Sequence, residues 1–369
     1  MGGYKSFAHT VTGISHTKHG KGCEDACFHK DETGVSLAVV ADGHGDDNCF
    51  RSAQGALLAV ASAGNGIQDF VKHLNEPEEA KLFRKSEPRK KLLSKKELET
   101  CLRKMLIEKG IIPAWFKTVA GHFDTNHFTE EELKKASDKY RKRYSEGEKL
   151  HHAYGTTLIA AAITPEYWFG IHIGDGRLTA LYPDGSFSQP VPWDDKCNLN
   201  VTTSICDDDS AERARCYFSL IDDDNPPPVA VFICTDGIDD NYPVEENEKY
   251  LFKLYRTISL CFAEDGFESA CSQLKDLINQ FAVKGKGDDT SIGLLIDMEA
   301  LKQAVPVWKE QIAREEAAAE KAPEAEGPKP DVARNAQEAV SAYGKQMKSL
   351  ESYGTFTGIN PQTGEIEQK

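Results

Sequence analysis

The stretch Val39-Val40-Ala41-Asp42-Gly43-His44-Gly45 is an apolar, partly β-branched run that stops abruptly in a carboxylate, a glycine and an imidazole. This pattern predicts a buried strand that ends at the rim of a core and delivers reactive groups there. A carboxylate so placed can bridge two hard divalent cations. The glycine beside it lets a backbone carbonyl approach a metal without interference from a Cβ, and the imidazole that follows can donate a proton.

The same ending recurs along the chain. Apolar segments meet Gly174-Asp175-Gly176, Asp236-Gly237 and Asp288-Asp289, and Glu24-Asp25 makes a fifth acidic site. If these strand ends share one rim, the like charges converge, and such a cluster is tolerable only when divalent cations neutralise it. The ligands are all oxygens, which selects Mg²⁺, Mn²⁺ or Ca²⁺ over zinc.

At 369 residues and 40% hydrophobic content the chain can bury one large core or two ordinary ones. Its ten cysteines follow no repeating spacing and its first residues, Met-Gly-Gly-Tyr-Lys-Ser, lack an apolar signal region, so the sequence reads as a reduced, cytoplasmic protein. No apolar stretch approaches the ~20 residues that cross a bilayer. The net charge of −15 opposes general nucleic-acid binding. Residues 76–150 depart from that balance, with 19 Lys and Arg against 14 Asp and Glu; such a basic segment could meet a phosphorylated partner, but solvated helix faces explain it more simply.

Periodicity supplies the elements. Residues 7–40 alternate like short strands, and 52–74 carry small and apolar residues at helical spacing, with Gly64 and Gly66 as points of bending. Capping-box pairs Ser94/Glu97 and Thr129/Glu132 open two helices inside the basic segment. Residues 157–163, 167–173 and 177–182, separated by turn signals, predict a three-strand antiparallel meander. Residues 229–234 and 291–296 read as further strands, and 251–260 and 267–281 as helices. Beyond about residue 300 the composition shifts to Ala, Glu, Lys and Pro, so the expected division is a domain over 1–300 and a helix with a flexible charged tail over 301–369.

Taken in order, Glu24-Asp25, Asp42-Gly43-His44-Gly45, Gly155-Thr156-Thr157, Gly174-Asp175-Gly176-Arg177, Thr235-Asp236-Gly237-Ile238-Asp239-Asp240 and Gly287-Asp288-Asp289-Thr290-Ser291 resemble the metal-dependent protein phosphatases, the type 2C serine/threonine enzymes, in a bacterial-like branch. Agreement of several spaced motifs makes the resemblance specific, and it covers about residues 7–297. It implies an α+β fold, a four-layer αββα sandwich of two antiparallel sheets with a binuclear Mn²⁺ or Mg²⁺ site at one end. By matching position, Asp42 would bridge both ions, Asp236 and Asp288 would complete one metal site, and Glu24 with the Gly43 carbonyl would serve the other. Asp25 would stand behind the ligands, and Asp175 and Asp240 would hold a further, weaker ion. His44 would be the general acid. The implied reaction is hydrolysis of phosphoserine or phosphothreonine in proteins by a metal-activated water, without a phosphoenzyme. The implied partners are a phosphoprotein substrate and a cognate kinase, and the implied state is a monomer.

The family commonly places a phosphate-binding arginine four residues before the glutamate, and here that position is Gly20. Lys18, His19 and Lys21 are the nearest substitutes, with His16 a weaker one; a lysine offers a point charge without the bidentate fork. The missing arginine keeps a second reading in view, a catalytically silent phosphatase-like module that binds a phosphoprotein or signalling partner. An Asp before a Gly is more often a turn than a ligand, and only the joint pattern outweighs that reading. Cys23, Cys27 and His29 lack the second half of a zinc motif. Asp207-Asp208-Asp209 and Asp222-Asp223-Asp224 read as solvated turns, and the family likeness suggests that residues 204–215 form a flap over the site.

Overall fold

A computed structural model describes residues 3–76, 94–192, 194, 197, 202–243 and 246–319. Strands β1 (Lys5–Val11), β2 (Ala26–Glu32), β3 (Val35–Ala41), β4 (Leu158–Ile163), β5 (Tyr167–Ile173), β6 (Arg177–Leu181), β7 (Phe187–Ser188), β8 (Arg215–Leu220), β9 (Ala230–Cys234) and β10 (Thr290–Ile296) form two five-stranded antiparallel sheets, ordered β1-β10-β9-β6-β7 and β2-β3-β4-β5-β8.

Alternation along the central strands sets the layers, because successive side chains leave a strand on opposite faces. In β3, Leu37, Val39 and Ala41 join one core cluster with the helix Ser52–Leu74, whereas Ala38 and Val40 meet Val231, Ile233 and Leu295 of the other sheet. In β9 the outward residues Ala230, Phe232 and Cys234 pack with the helices Asn247–Asp265 and Phe267–Lys284. Strands that are apolar at every position are therefore buried on both faces, which yields helix, sheet, sheet, helix.

Three features differ from the periodicity. Helix Ser52–Leu74 runs unbroken through both glycines; Gly64 faces the Phe28 ring, which a Cβ would meet at 2.6 Å, so it permits close packing where a bend was expected. The predicted meander is only half right. β4 and β5 pair, but β6 pairs with β9 and β7 in the other sheet. Gly174-Asp175-Gly176 is the crossing between sheets: Gly174 adopts φ +113° and a Cβ on Gly176 would lie 2.1 Å from the Cys234 carbonyl, so a hairpin reading of these turn residues misses their use. Lastly, the division at residue 300 falls inside the helix Met298–Ala319, whose Leu301, Ala304 and Trp308 are buried in the cluster under β9 and β10. The expected tail, 320–369, and residues 77–93 of the basic segment lie outside the described residues.

Both predicted capping boxes form, at Ser94/Glu97 and Thr129/Glu132. None of the ten cysteines is in a disulfide, and among the described residues no helix is long and apolar enough to cross a membrane.

Candidate active site

A cavity of about 420 Å³ opens where β3 and β9 end, where β10 begins and where β5 crosses to β6, and Glu24, Asp42, Gly43, His44, Asp175, Asp236, Asp240 and Asp288 all line it. Asp42 continues the face of β3 that looks between the sheets. Its N–H donates to the Thr157 hydroxyl at 2.9 Å and its carbonyl accepts the Thr157 N–H at 2.8 Å, which locks the backbone and leaves the carboxylate to the cavity. Gly43 donates to the Glu24 carbonyl at 3.1 Å, and a Cβ there would lie 2.6 Å from that oxygen, so only glycine lets the two segments close. Ser52, at the start of the long helix, donates to Glu24 Oε1 at 3.0 Å.

Asp236 begins the short helix Asp236–Asp239 directly after β9. Asp175 is presented by the crossing between sheets, whose carbonyls at 175 and 176 accept Arg177 Nη1 at 2.7 and 3.1 Å, while Arg177 Nη2 pairs with Asp239 at 2.9 Å. Asp288 is more than half exposed, and Asp240 at the rim pairs with Lys286 at 2.8 Å. The His44 N–H donates to the Gly155 carbonyl at 3.2 Å.

Burial and crowding of like charge dominate the electrostatics. Loss of solvent, followed by repulsion from Asp25 and Asp236, raises Asp42 well above the usual carboxylate range; Asp236 is raised the same way by burial and then by Asp175. Asp25 is pushed up to about 7, chiefly by burial, although its Oδ2 accepts hydrogen bonds from Thr235 and Ser291 at 2.9 and 2.8 Å. Burial pushes His44 below its ordinary value, opposed by Asp175, Asp207 and Asp46.

The structure separates the basic candidates. Lys18 and His19 are exposed and do not line the cavity, and His19 Nδ1 lies 2.7 Å from the Ser15 carbonyl. Lys21 stands at the rim, its Nζ 2.9 Å from the Gly45 carbonyl and 4.0 Å from Glu24. His16, the weaker candidate, lines the cavity, with Nε2 3.5 Å from Asp288 and 3.8 Å from Glu24. Asp289 was not among the predicted site residues. It is buried, accepts the backbone N–H of Gly13 at 2.7 Å and of Glu24 at 2.6 Å, and so ties the first loop to the entrance of β10. Its position in the acidic pair Asp288-Asp289 was the only signal.

The donor set suits a hard divalent cation. The Asp42 and Asp236 side chains are in hydrogen-bond contact, which two anions cannot sustain without a proton or a cation between them. Asp236 Oδ1 and Glu24 Oε2 are buried without a hydrogen-bond partner. Among the described residues the one trio of candidate ligand atoms lying within 4.8 Å of one another is elsewhere, at His151, His152 and Asp208. An ion held here by one or two carboxylates would keep most of its shell as water, as Mg²⁺ commonly does.

Residues 12–279 match the family model described as protein phosphatase 2C. Solved structures with a similar fold include a bacterial serine phosphatase (14% identity, 79% of this chain and 97% of that one, TM-score 0.44). Others are the catalytic domain of the serine/threonine protein phosphatase PstP in complex with two manganese ions (16%, 80% and 100%, 0.41) and the serine/threonine phosphatase Stp1 from Staphylococcus aureus (15%, 79% and 94%, 0.43). No curated protein matches the chain.

Proposed function

The chain belongs to the protein phosphatase 2C family, and from that premise we propose that it hydrolyses phosphoserine and phosphothreonine in proteins by direct attack of water, with no phosphoenzyme. The observation that supports this reading is the meeting of Asp42 and Asp236, far apart in sequence and from different sheets, inside one acidic cavity. Enzymes of this family use Mn²⁺ or Mg²⁺. In our reading Asp42 would serve two ions, Asp236 and Asp288 would hold one of them, Glu24 and the Gly43 carbonyl would hold the other, and Asp175 with Asp240 would hold a weaker third. When bound, such ions acidify water and offset the charge of the phosphoryl oxygens.

The remaining steps fall to the chain itself. The Asp42 backbone, clamped by Thr157, keeps the carboxylate in place without reorganisation. His44, at the cavity wall, gives its proton to the seryl or threonyl oxygen as it leaves. Lys21 at the rim contributes the positive charge that meets the incoming phosphate, in place of the absent arginine.

The test is hydrolysis of a phosphoserine peptide by the full chain with Mn²⁺, with EDTA, and after Asp236→Asn. Mn²⁺-dependent turnover is expected, and both EDTA and the substitution lower it on the order of 10²-fold or more. If wild type with Mn²⁺ does no better than the variant, the enzyme reading falls and the binding-module reading takes its place.

A further inference from the structure

A second cluster of ligand-type side chains lies outside the acidic cavity and plays no part in the reaction above. The turn Leu150–Tyr154 sets His151 and His152 side by side, ring centroids 4.8 Å apart. One ligand atom from each, with a carboxylate oxygen of Asp208, falls within 4.8 Å of the others. Each imidazole also carries an Nε2 that is buried and has no hydrogen-bond partner. We propose that His151, His152 and Asp208 form a transition-metal site, with Zn²⁺ as the cation their chemistry fits best.

Two imidazoles and one carboxylate are a borderline donor set that suits Zn²⁺ in tetrahedral geometry with a water in the fourth position, and differs in kind from the all-oxygen cavity. Burial pushes His151 down to about 4 and lowers His152 as well, which weakens the competition of protons for their lone pairs. One group does compete. Lys149, held at φ 53°, pairs with Asp208 and must release it before the carboxylate can turn to a metal.

The bound ion would fasten two segments that already touch. The histidine turn runs into Gly155 and Thr156, and the loop that contains Asp208 is joined to Thr156 through the Ile205 N–H at 3.0 Å and the Ser204 hydroxyl at 3.1 Å. Zinc binding should therefore slow amide exchange across residues 204–213.

The experiment titrates the full chain with Zn²⁺ in a competing chelator at saturating Mg²⁺, and follows Co²⁺ in parallel by its visible absorption. Wild type is expected to take up one ion that Mg²⁺ does not displace. Asp208→Asn, an exposed position that leaves the core intact, should weaken uptake about 10-fold or more, His151→Ala/His152→Ala should abolish it, and Lys149→Gln should tighten it several-fold. Unchanged affinity in both Asp208→Asn and the double histidine variant, or loss of the ion on Asp42→Asn instead, would overturn the proposal.

Discussion

His44 follows Asp42 by two residues, yet the two side chains are asked for different chemistry, and the difference can be measured. A proton donor matters in proportion to how badly the leaving oxygen needs a proton. A seryl alkoxide needs one, whereas a nitrophenolate leaves without help. His44→Asn should therefore lower kcat for a phosphoserine peptide by roughly 10²- to 10⁴-fold and leave hydrolysis of an aryl phosphate close to wild type. Equal losses on both substrates would mean that His44 shapes the cavity and donates no proton. Lys21 poses a question of binding. Its ammonium rests on the Gly45 carbonyl at the rim, so Lys21→Ala should raise KM with little change in kcat, and an unchanged KM would shift the phosphate contact to His16, which reaches further in.

Among the elements, β5 carries a feature that neither packing nor chemistry uses, since both ring nitrogens of His172 are buried without partners. Burial first, then the nearby Arg215 and Arg177, lowers this histidine well below 6.5. Below that pH the unfolded chain takes up a proton that the folded chain refuses, so the folded state loses stability as the solution is acidified. His172→Leu has no proton to refuse. Relative to wild type it should gain stability between pH 7.5 and pH 5, up to the ceiling of about 2 kcal/mol set by the unfolded histidine, read from denaturant midpoints; parallel pH curves for the two proteins would refute the assignment. The same strand shows where sequence reading succeeds and where it stops. The convergence of Asp42, Asp236 and Asp288 was legible because an acid directly after or just before an apolar run marks the end or the entrance of a strand whatever its partner. The partner of β6 was not legible, because Gly174-Asp175-Gly176 carries the same residues that a hairpin turn would use, and only the 2.1 Å approach to Cys234 explains the second glycine. Lys18 and His19 were drawn in by nearness in sequence alone, which says nothing about the side of a short helix on which a charge falls.

In the molecule as a whole, the two sheets close on each other at the point where their acids meet. Asp42 comes from one sheet, Asp236 and Asp288 flank strands of the other, and Asp175 sits on the crossing between them. Packing of Val40 and Ala38 against Val231 and Ile233 drives the sheets together, and the same closure forces the carboxylates out of water and against each other. A cation between them should act as a tie between sheets as well as a cofactor. An ion at 100 times its Kd adds about 2.7 kcal/mol per site, so Mn²⁺ should raise Tm by roughly 5 °C, while KCl at equal ionic strength should not. Replacing one acid then has opposite effects in the two states. Without metal, Asp236→Asn relieves repulsion and should melt above wild type; with Mn²⁺ it loses part of the tie and should melt below. A crossing of the two melting curves on adding Mn²⁺ is the expected result, and an Asn variant that melts below wild type in EDTA would show that the acids are held together by something other than an ion.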